Sequence, residues 1–228
     1  MDVSAFVSYR DRLVSACSKA IVGKKREITL IAVCHVCGGH VLLEDVPGTG
    51  KTMLFRAFAK ACGGSFKRIQ FTPDVMPGDV TGIHFYNMKT GDFEFRPGPV
   101  FADMVLADEI NRATPRTQSS LLEAMAERQV SVDGETRQLS ETFMVAATQN
   151  PIESYGTFPL PEAQMDRFMM RMGLGYMQRA EEIGVALRRD TEDIIEDIQP
   201  AYCLSEYPGM SCLCDSLSYQ HNQRERQQ

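Results

Sequence analysis

Residues 44–52 read Glu-Asp-Val-Pro-Gly-Thr-Gly-Lys-Thr (EDVPGTGKT). An apolar run, His40-Val41-Leu42-Leu43, comes before them, and a helical run, Met53-Leu54-Phe55-Arg56-Ala57-Phe58-Ala59, comes after. Strand, glycine-bearing turn, Lys-Thr and helix form the layout of a phosphate-binding loop. The turn needs glycine because backbone must pass close to phosphate oxygens with no Cβ in the way. Successive N–H groups then point inward, backed by the positive end of the helix dipole. In such a loop Lys51 reaches the β- and γ-phosphates and the Thr52 hydroxyl ligates Mg²⁺. The strict pattern asks for Gly at position 45, where this chain has Asp45. With the PGTGKT core intact, the stretch reads as a variant loop.

The rest of the chain supplies the scaffold such a loop needs. At 228 residues it is long enough for one α/β domain with a buried core and a small appendage. Apolar spacing predicts helices over 2–20 and 25–37, the second closed by Gly38-Gly39. Phe66–Phe71, Met104–Ala107, Phe143–Thr148 and Phe168–Met172 read as further strands; the continuous apolar run at 104–107 suits a strand buried on both faces. Thr114-Pro115 starts a helix, Thr as N-cap and Pro at the first helical position, with Leu121, Leu122 and Met125 turned inward. Two hairpins interrupt the alternation: 83–96 around Lys89-Thr90-Gly91-Asp92, and 129–139 around Gly134-Glu135. Strands alternating with helices imply a parallel sheet covered on both faces. Residues 180–198 suit one or two helices; from Pro200 no period persists, the chain ends in a polar run from His221 to Gln228, and this tail is expected to be poorly ordered.

Composition narrows the function classes. Net charge is −6 and the pI about 5.3, a balance that disfavours broad electrostatic binding of nucleic acid. Seven cysteines without disulfide-framework spacing, and an N-terminus carrying Asp2, Arg10, Asp11 and Arg12, are read as reduced thiols in a cytoplasmic protein with no secretory signal. The longest apolar stretch, Ile28 to Cys37, is too short and interrupted to span a bilayer. Cys34, His35, Cys37 and His40 invite a metal reading, yet zinc wants two separated ligand pairs; the other close pair, Cys212 and Cys214, has the wrong spacing, so packing thiols are expected.

The candidate chemistry gathers at strand ends. Asp108-Glu109 closes the buried run 104–107, where α/β sheets place ligands. Asp108 can hold Mg²⁺ through water, and Glu109 can polarise an attacking water as a general base. Asn150 closes the next apolar strand, where an amide can orient that water or touch the γ-phosphate.

Four stretches together resemble the AAA+ ATPases, and among them the MoxR family: Ile21-Val22-Gly23, GGHVLLEDVPGTGKT (38–52), FRPGPVFADMVLADEINRATPRTQSSLLEAMAERQVSVDG (95–134) and ATQNPIESYGTFPLPEAQMDRF (147–168). The resemblance implies an α/β P-loop NTPase: a three-layer core with a parallel five-stranded sheet over residues 1–175, carrying two hairpin inserts. Residues 176–228 are then an incomplete helical lid and tail, too short for the family's lid with its sensor-2 arginine. The resemblance also implies ATP and Mg²⁺ as ligands. Val22 and Gly23 would lie near adenine, and Pro47, Gly48, Thr49, Gly50, Lys51, Thr52 and Met53 would hold the phosphates. Thr52 and Asp108 would hold the metal. Glu109 and Asn150 match the Walker B acid and sensor 1, and Arg167 matches an arginine finger that acts on a neighbouring subunit, with Arg112 and Arg171 as rivals. Lys24 stands where the family usually has Gln.

For function, the resemblance implies an ATP-hydrolysing remodelling factor, a hexameric ring of identical subunits working on von Willebrand factor A-domain or metalloenzyme clients, with no membrane partner. Two other readings compete. One is a nucleic-acid motor resembling the minichromosome maintenance helicases, which share both hairpins. The other is a nucleotide-binding remnant without turnover.

Overall fold

The computed structural model describes residues 3–45, 48–150, 156–175 and 191–201. Two helices, α1 (Val3–Ser18) and α2 (Lys25–Val36), lead into β1 (Val41–Glu44) and α3 (Lys51–Cys62). Next come β2 (Phe66–Gln70), the short α4 (Pro77–Thr81) and a hairpin of β3 (Gly82–Asn87) and β4 (Asp92–Pro97). Then come β5 (Met104–Asp108), α5 (Pro115–Glu127), a second hairpin of β6 (Gln129–Val132) and β7 (Glu135–Gln138), and β8 (Met144–Gln149). The short elements α6 (Glu162–Met165), β9 (Met170–Met172) and α7 (Thr191–Glu196) complete the described chain.

Five strands form one wholly parallel sheet in the order β2-β5-β8-β1-β9. The predicted five-stranded α/β core with two hairpins is the architecture observed. Period-two alternation builds its two cores. Val41, Leu43, Met104, Leu106, Met144 and Ala146 face one cluster, filled by α1, α2 and α3 with Leu13, Ile28, Ile31, Phe55 and Phe58. Leu42, Val105, Ala107, Val145 and Ala147 face the other, filled from α5 and its flanks by Leu121, Leu122, Met125 and Phe143. Buried on both faces, the central strands carry no polar residue until their last positions.

The helix termini are set locally. Thr114 caps α5 by accepting from the Thr117 N–H, with Pro115 in the first turn. Gly63 ends α3 at φ 71° and returns its N–H to that helix's last carbonyls. The second hairpin turns one residue earlier than its sequence suggests: Asp133 and Gly134, at φ 52° and 84°, are the central pair. Asp-Gly with both residues left-handed matches the twist of the flanking strands, so it displaces the Gly-Glu turn.

The two hairpins touch. His84 Nδ1 lies 2.7 Å from Asp133 Oδ2, and the Arg137 guanidinium sits 4.1 Å above the Phe95 ring. Cys17, Cys34 and Cys62 are buried and Cys37 half-buried, and among the described residues no cluster of three His, Cys, Asp or Glu could hold a metal. Of the remaining expectations, 180–198 and the tail lie largely outside the described residues, and α7 is their described portion. No described helix is long and apolar enough to cross a membrane.

Candidate functional site

The chain visits the sheet out of order, and that creates the site. From β1 it crosses to the far edge at β2, then steps back through β5 and β8 to lie beside β1 again. The C-terminal ends of β1, β8 and β5 are therefore adjacent, and a crevice opens where the winding direction reverses. A cleft of about 380 Å³ lies there, lined by Asp45, Gly48, Gly50, Lys51, Thr52, Met53, Arg68, Gln70, Asp108, Glu109, Thr148 and Asn150.

The loop from β1 supplies one wall. Gly48 and Gly50 take φ 86° and 79°, and a Cβ on either would meet nothing within 4 Å. Glycine is needed there for its backbone angles. Lys51 and Thr52 open α3 immediately afterwards, with Lys51 Nζ 3.5 Å from the Asp45 carbonyl.

The opposite wall is acidic and tightly held. Thr148, 2% exposed in β8, donates its hydroxyl to Asp108 Oδ1 at 2.6 Å and accepts the Glu109 N–H at 2.9 Å. One hydroxyl thus positions both acids. Arg68 takes the other oxygen, Asp108 Oδ2, through Nη2 at 2.6 Å and Nε at 3.2 Å. Glu109 sits at φ 58°, an uncommon conformation for a side-chain-bearing residue, and its carboxylate pairs with Arg112 Nε at 3.1 Å. Outside the lining, at the end of β1, Gln149 donates to Glu44 Oε1 at 2.6 Å, and Arg171 Nε lies 2.6 Å from Glu44 Oε2. Hydrogen bonding from Arg171 holds the Glu44 carboxyl below its ordinary range.

Of the residues singled out in the sequence, Gly48, Gly50, Lys51, Thr52, Met53, Asp108, Glu109 and Asn150 line this one cleft. Val22 is half-buried, Gly23 exposed and Thr49 half-buried, and none of the three lines it. Pro47 lies outside the described residues. Arg167 is exposed, away from the cleft lining, and forms no ion pair with Asp166. Its rivals Arg112 and Arg171 are engaged by Glu109 and Glu44.

Sequence reasoning missed Arg68, Gln70 and Thr148, and it left Asp45 and Lys24 as unexplained departures. Both departures act on the same two residues. Asp45 Oδ2 accepts the N–H groups of Leu174 and Gly175 at 2.8 and 3.1 Å. Lys24, 8% exposed, gives its ammonium to the carbonyls of Leu174 and Gly175 at 2.5 and 3.2 Å. The loop after β1 and the α1–α2 connection thereby both hold the backbone leaving β9, one through its N–H groups and the other through its carbonyls.

Comparison with known proteins places this geometry. The profile of the family described as ATPase family associated with various cellular activities (AAA) matches residues 40–170, more than half of the 228. The chain is 45% identical over 186 residues to the Mycobacterium tuberculosis chaperone MoxR1, covering 82% of this chain and 49% of that protein. The chain belongs to the MoxR family of AAA+ ATPases. It is also 51% identical over 196 residues to the uncharacterized Bacillus subtilis protein YeaC, covering 86% of this chain and 61% of YeaC. The crystal structure of a candidate ATPase from Cytophaga hutchinsonii superposes with a TM-score of 0.81 at 40% identity, over 91% of this chain and 64% of that one. The chain therefore spans about half to two thirds of the length of these AAA+ relatives.

Proposed function

We propose that this cleft binds ATP with Mg²⁺ and hydrolyses it, and that the protein uses the cycle to remodel partner proteins as a chaperone-like factor. One observation carries the reading: the glycine turn with Lys51 and Thr52, the acids Asp108 and Glu109, and the amide Asn150 converge from three strand ends on one cleft. The donor set fits a hard cation that keeps waters and substrate phosphates in its shell. The Asp108 carboxylate and the Thr52 hydroxyl are the donors assigned to it here, and no three-ligand protein cage occurs among the described residues. A bound Mg²⁺ neutralises charge building on the phosphates.

The chain's own groups do the rest. Lys51 holds the terminal phosphates, the loop N–H groups cradle them, Asn150 orients the attacking water, and Glu109 takes its proton. Arg167, exposed and not among the residues lining its own cleft, suits a finger offered to a second copy, so the working form is a ring of identical subunits, a hexamer in this proposal. We assign Val22 and Gly23 to the adenine end by the family resemblance alone, since neither lines the cleft. A cytoplasmic setting suits the reduced thiols.

The hairpins favour protein clients over nucleic acid. Tyr86, Met88 and Phe93 expose an apolar face on the first, and Arg137 on the second is occupied by Glu135 and Phe95. Von Willebrand factor A-domain proteins and metalloenzymes are the client classes to try first. A second reading, nucleotide binding without turnover, draws on the pairing of Glu109 with Arg112. Phosphate release from ATP by the purified protein, compared with Lys51→Ala, separates the two. Turnover that disappears in the variant supports the proposal; ATP affinity without phosphate release supports the second reading; equal turnover in both proteins rejects the cleft.

A further inference from the structure

Arg68 is a charged residue of the cleft that the proposed cycle leaves without a task. It lies on β2, an edge strand whose Lys67, Arg68 and Gln70 are exposed while Ile69 is buried, and the register sets it opposite Leu106, two positions below Asp108. Its side chain climbs along the strand into the cleft. Both Nη2 and Nε converge on Asp108 Oδ2, and Gln70 Oε1 holds Nη2 from the side at 2.5 Å. Asp108 Oδ1 is already committed to Thr148. The guanidinium therefore covers the single Asp108 oxygen left to face a cation. The pair is lopsided in exposure: the Arg68 side chain is 44% accessible and that of Asp108 12%. The acid is fixed by the sheet, and the cation is free to withdraw toward solvent.

We propose that Arg68 is an exchangeable counter-cation. It neutralises Asp108 while the cleft is empty and yields Oδ2 to the divalent cation that arrives with nucleotide. This rests on the proposed function, since it presumes a metal–nucleotide complex in the cleft. Asp108 is 8% exposed, a carboxylate so buried is costly without a partner, and a guanidinium removes that cost without a bound metal. The arrangement also imposes selectivity. A bare divalent cation must displace Arg68 with only Asp108 and Thr52 to gain. A metal–nucleotide complex brings phosphate oxygens that complete the shell and offset the loss of the Arg68 contact. Arg68 thus acts through Asp108 as a positioning residue, and it sets an order in which metal enters together with nucleotide.

The sign of the effect separates this role from a merely structural one. Removing a structural support weakens metal binding, whereas removing a competitor strengthens it. Mn²⁺ binding, read by electron paramagnetic resonance with and without ADP, tests this in wild type, Arg68→Gln and Arg68→Lys, with melting temperatures confirming that each protein is folded. Without ADP, wild type takes up no Mn²⁺. With saturating ADP, Arg68→Gln binds Mn²⁺ roughly threefold to tenfold more tightly than wild type, the scale of one partly exposed charge-assisted pair. Arg68→Lys, which keeps a cation, stays nearer wild type. Unchanged or weaker Mn²⁺ affinity in Arg68→Gln, with wild type binding Mn²⁺·ADP normally, overturns the counter-cation and leaves the functional reading standing. Failure of wild type itself to bind Mn²⁺·ADP overturns both.

Discussion

Replacing Thr148 by Val tests how the acidic wall is held. Valine copies the shape of threonine and loses the hydroxyl. That hydroxyl is buried, donates to Asp108 Oδ1 at 2.6 Å and accepts from the Glu109 N–H at 2.9 Å. A hydrogen bond to a charged group is worth about 1.5–3 kcal/mol, and an orphaned N–H costs about 1–3 kcal/mol when it is fully buried. Glu109 is half-buried, so water recovers part of the second amount. Arg68 still steadies the other oxygen of Asp108. The expected loss is roughly 2–4 kcal/mol, or about 4–16 °C in melting temperature for a chain of this size. The same change frees Glu109 to leave its left-handed conformation, which costs about 1 kcal/mol or more to maintain. Turnover should therefore fall further than stability alone explains. Urea unfolding of wild type, Thr148→Val and Thr148→Ser at pH 7 is the assay, with serine restoring most of the loss. A valine variant within 0.5 kcal/mol of wild type, taken as roughly the noise of a neutral substitution, would refute the claim that this hydroxyl organises both acids.

Three further outcomes rest on named groups. Glu109→Gln should abolish phosphate release and leave ATP affinity within about threefold of wild type, because the amide keeps the shape and loses the base; equilibrium binding beside single-turnover kinetics reads both quantities. Burial lowers His35 and His40 to about 4, opposed in part by Asp103 near the first and by the Met125 carbonyl on the second. Above pH 6.5 both states keep the rings neutral, while below it the unfolded chain takes up protons that the native rings refuse until about pH 4. Stability should thus fall as pH drops through that window, by roughly 2 kcal/mol per ring at pH 5, and a flat urea midpoint from pH 7 to 5 would contradict it. Finally, Asp45→Ala should speed amide exchange at Leu174 and Gly175 by roughly tenfold or more, with Lys24→Met giving a smaller increase at the same amides; hydrogen-exchange mass spectrometry of the segment ending at 175 checks both, and unchanged protection would contradict their hold on this backbone.

Much of this was legible because it is local. The loop at 44–52 announces itself through residue types that only a close-approach turn needs, and runs such as Met104–Ala107 are apolar throughout because both faces are covered. The convergence of three strand ends was also readable once the strands were placed, since α/β sheets bind at those ends. What stayed hidden depends on register. Arg68 in Phe66-Lys67-Arg68-Ile69-Gln70 reads as an ordinary solvated residue of an edge strand, and only pairing with β5 brings it under Asp108. Thr148 is masked by the apolar run it ends; a hydroxyl two residues before Asn150 was the available signal. Asp45 and Lys24 were visible as departures from a pattern, yet their shared target lies more than a hundred residues away, beyond any local period. The five-residue α4 is too short to show helical periodicity, and Asp133 moved the second turn by one position because left-handed Asp-Gly fits hairpin twist.

In the proposed site, three strand ends close on one triphosphate. Amide-exchange footprinting with a non-hydrolysable ATP analogue and Mg²⁺ tests it most directly. Simultaneous protection of 48–53, 108–109 and 148–150 is expected, lost in all three segments in Lys51→Ala. Protection confined to the glycine turn, or appearing at a surface away from these strand ends, would contradict it.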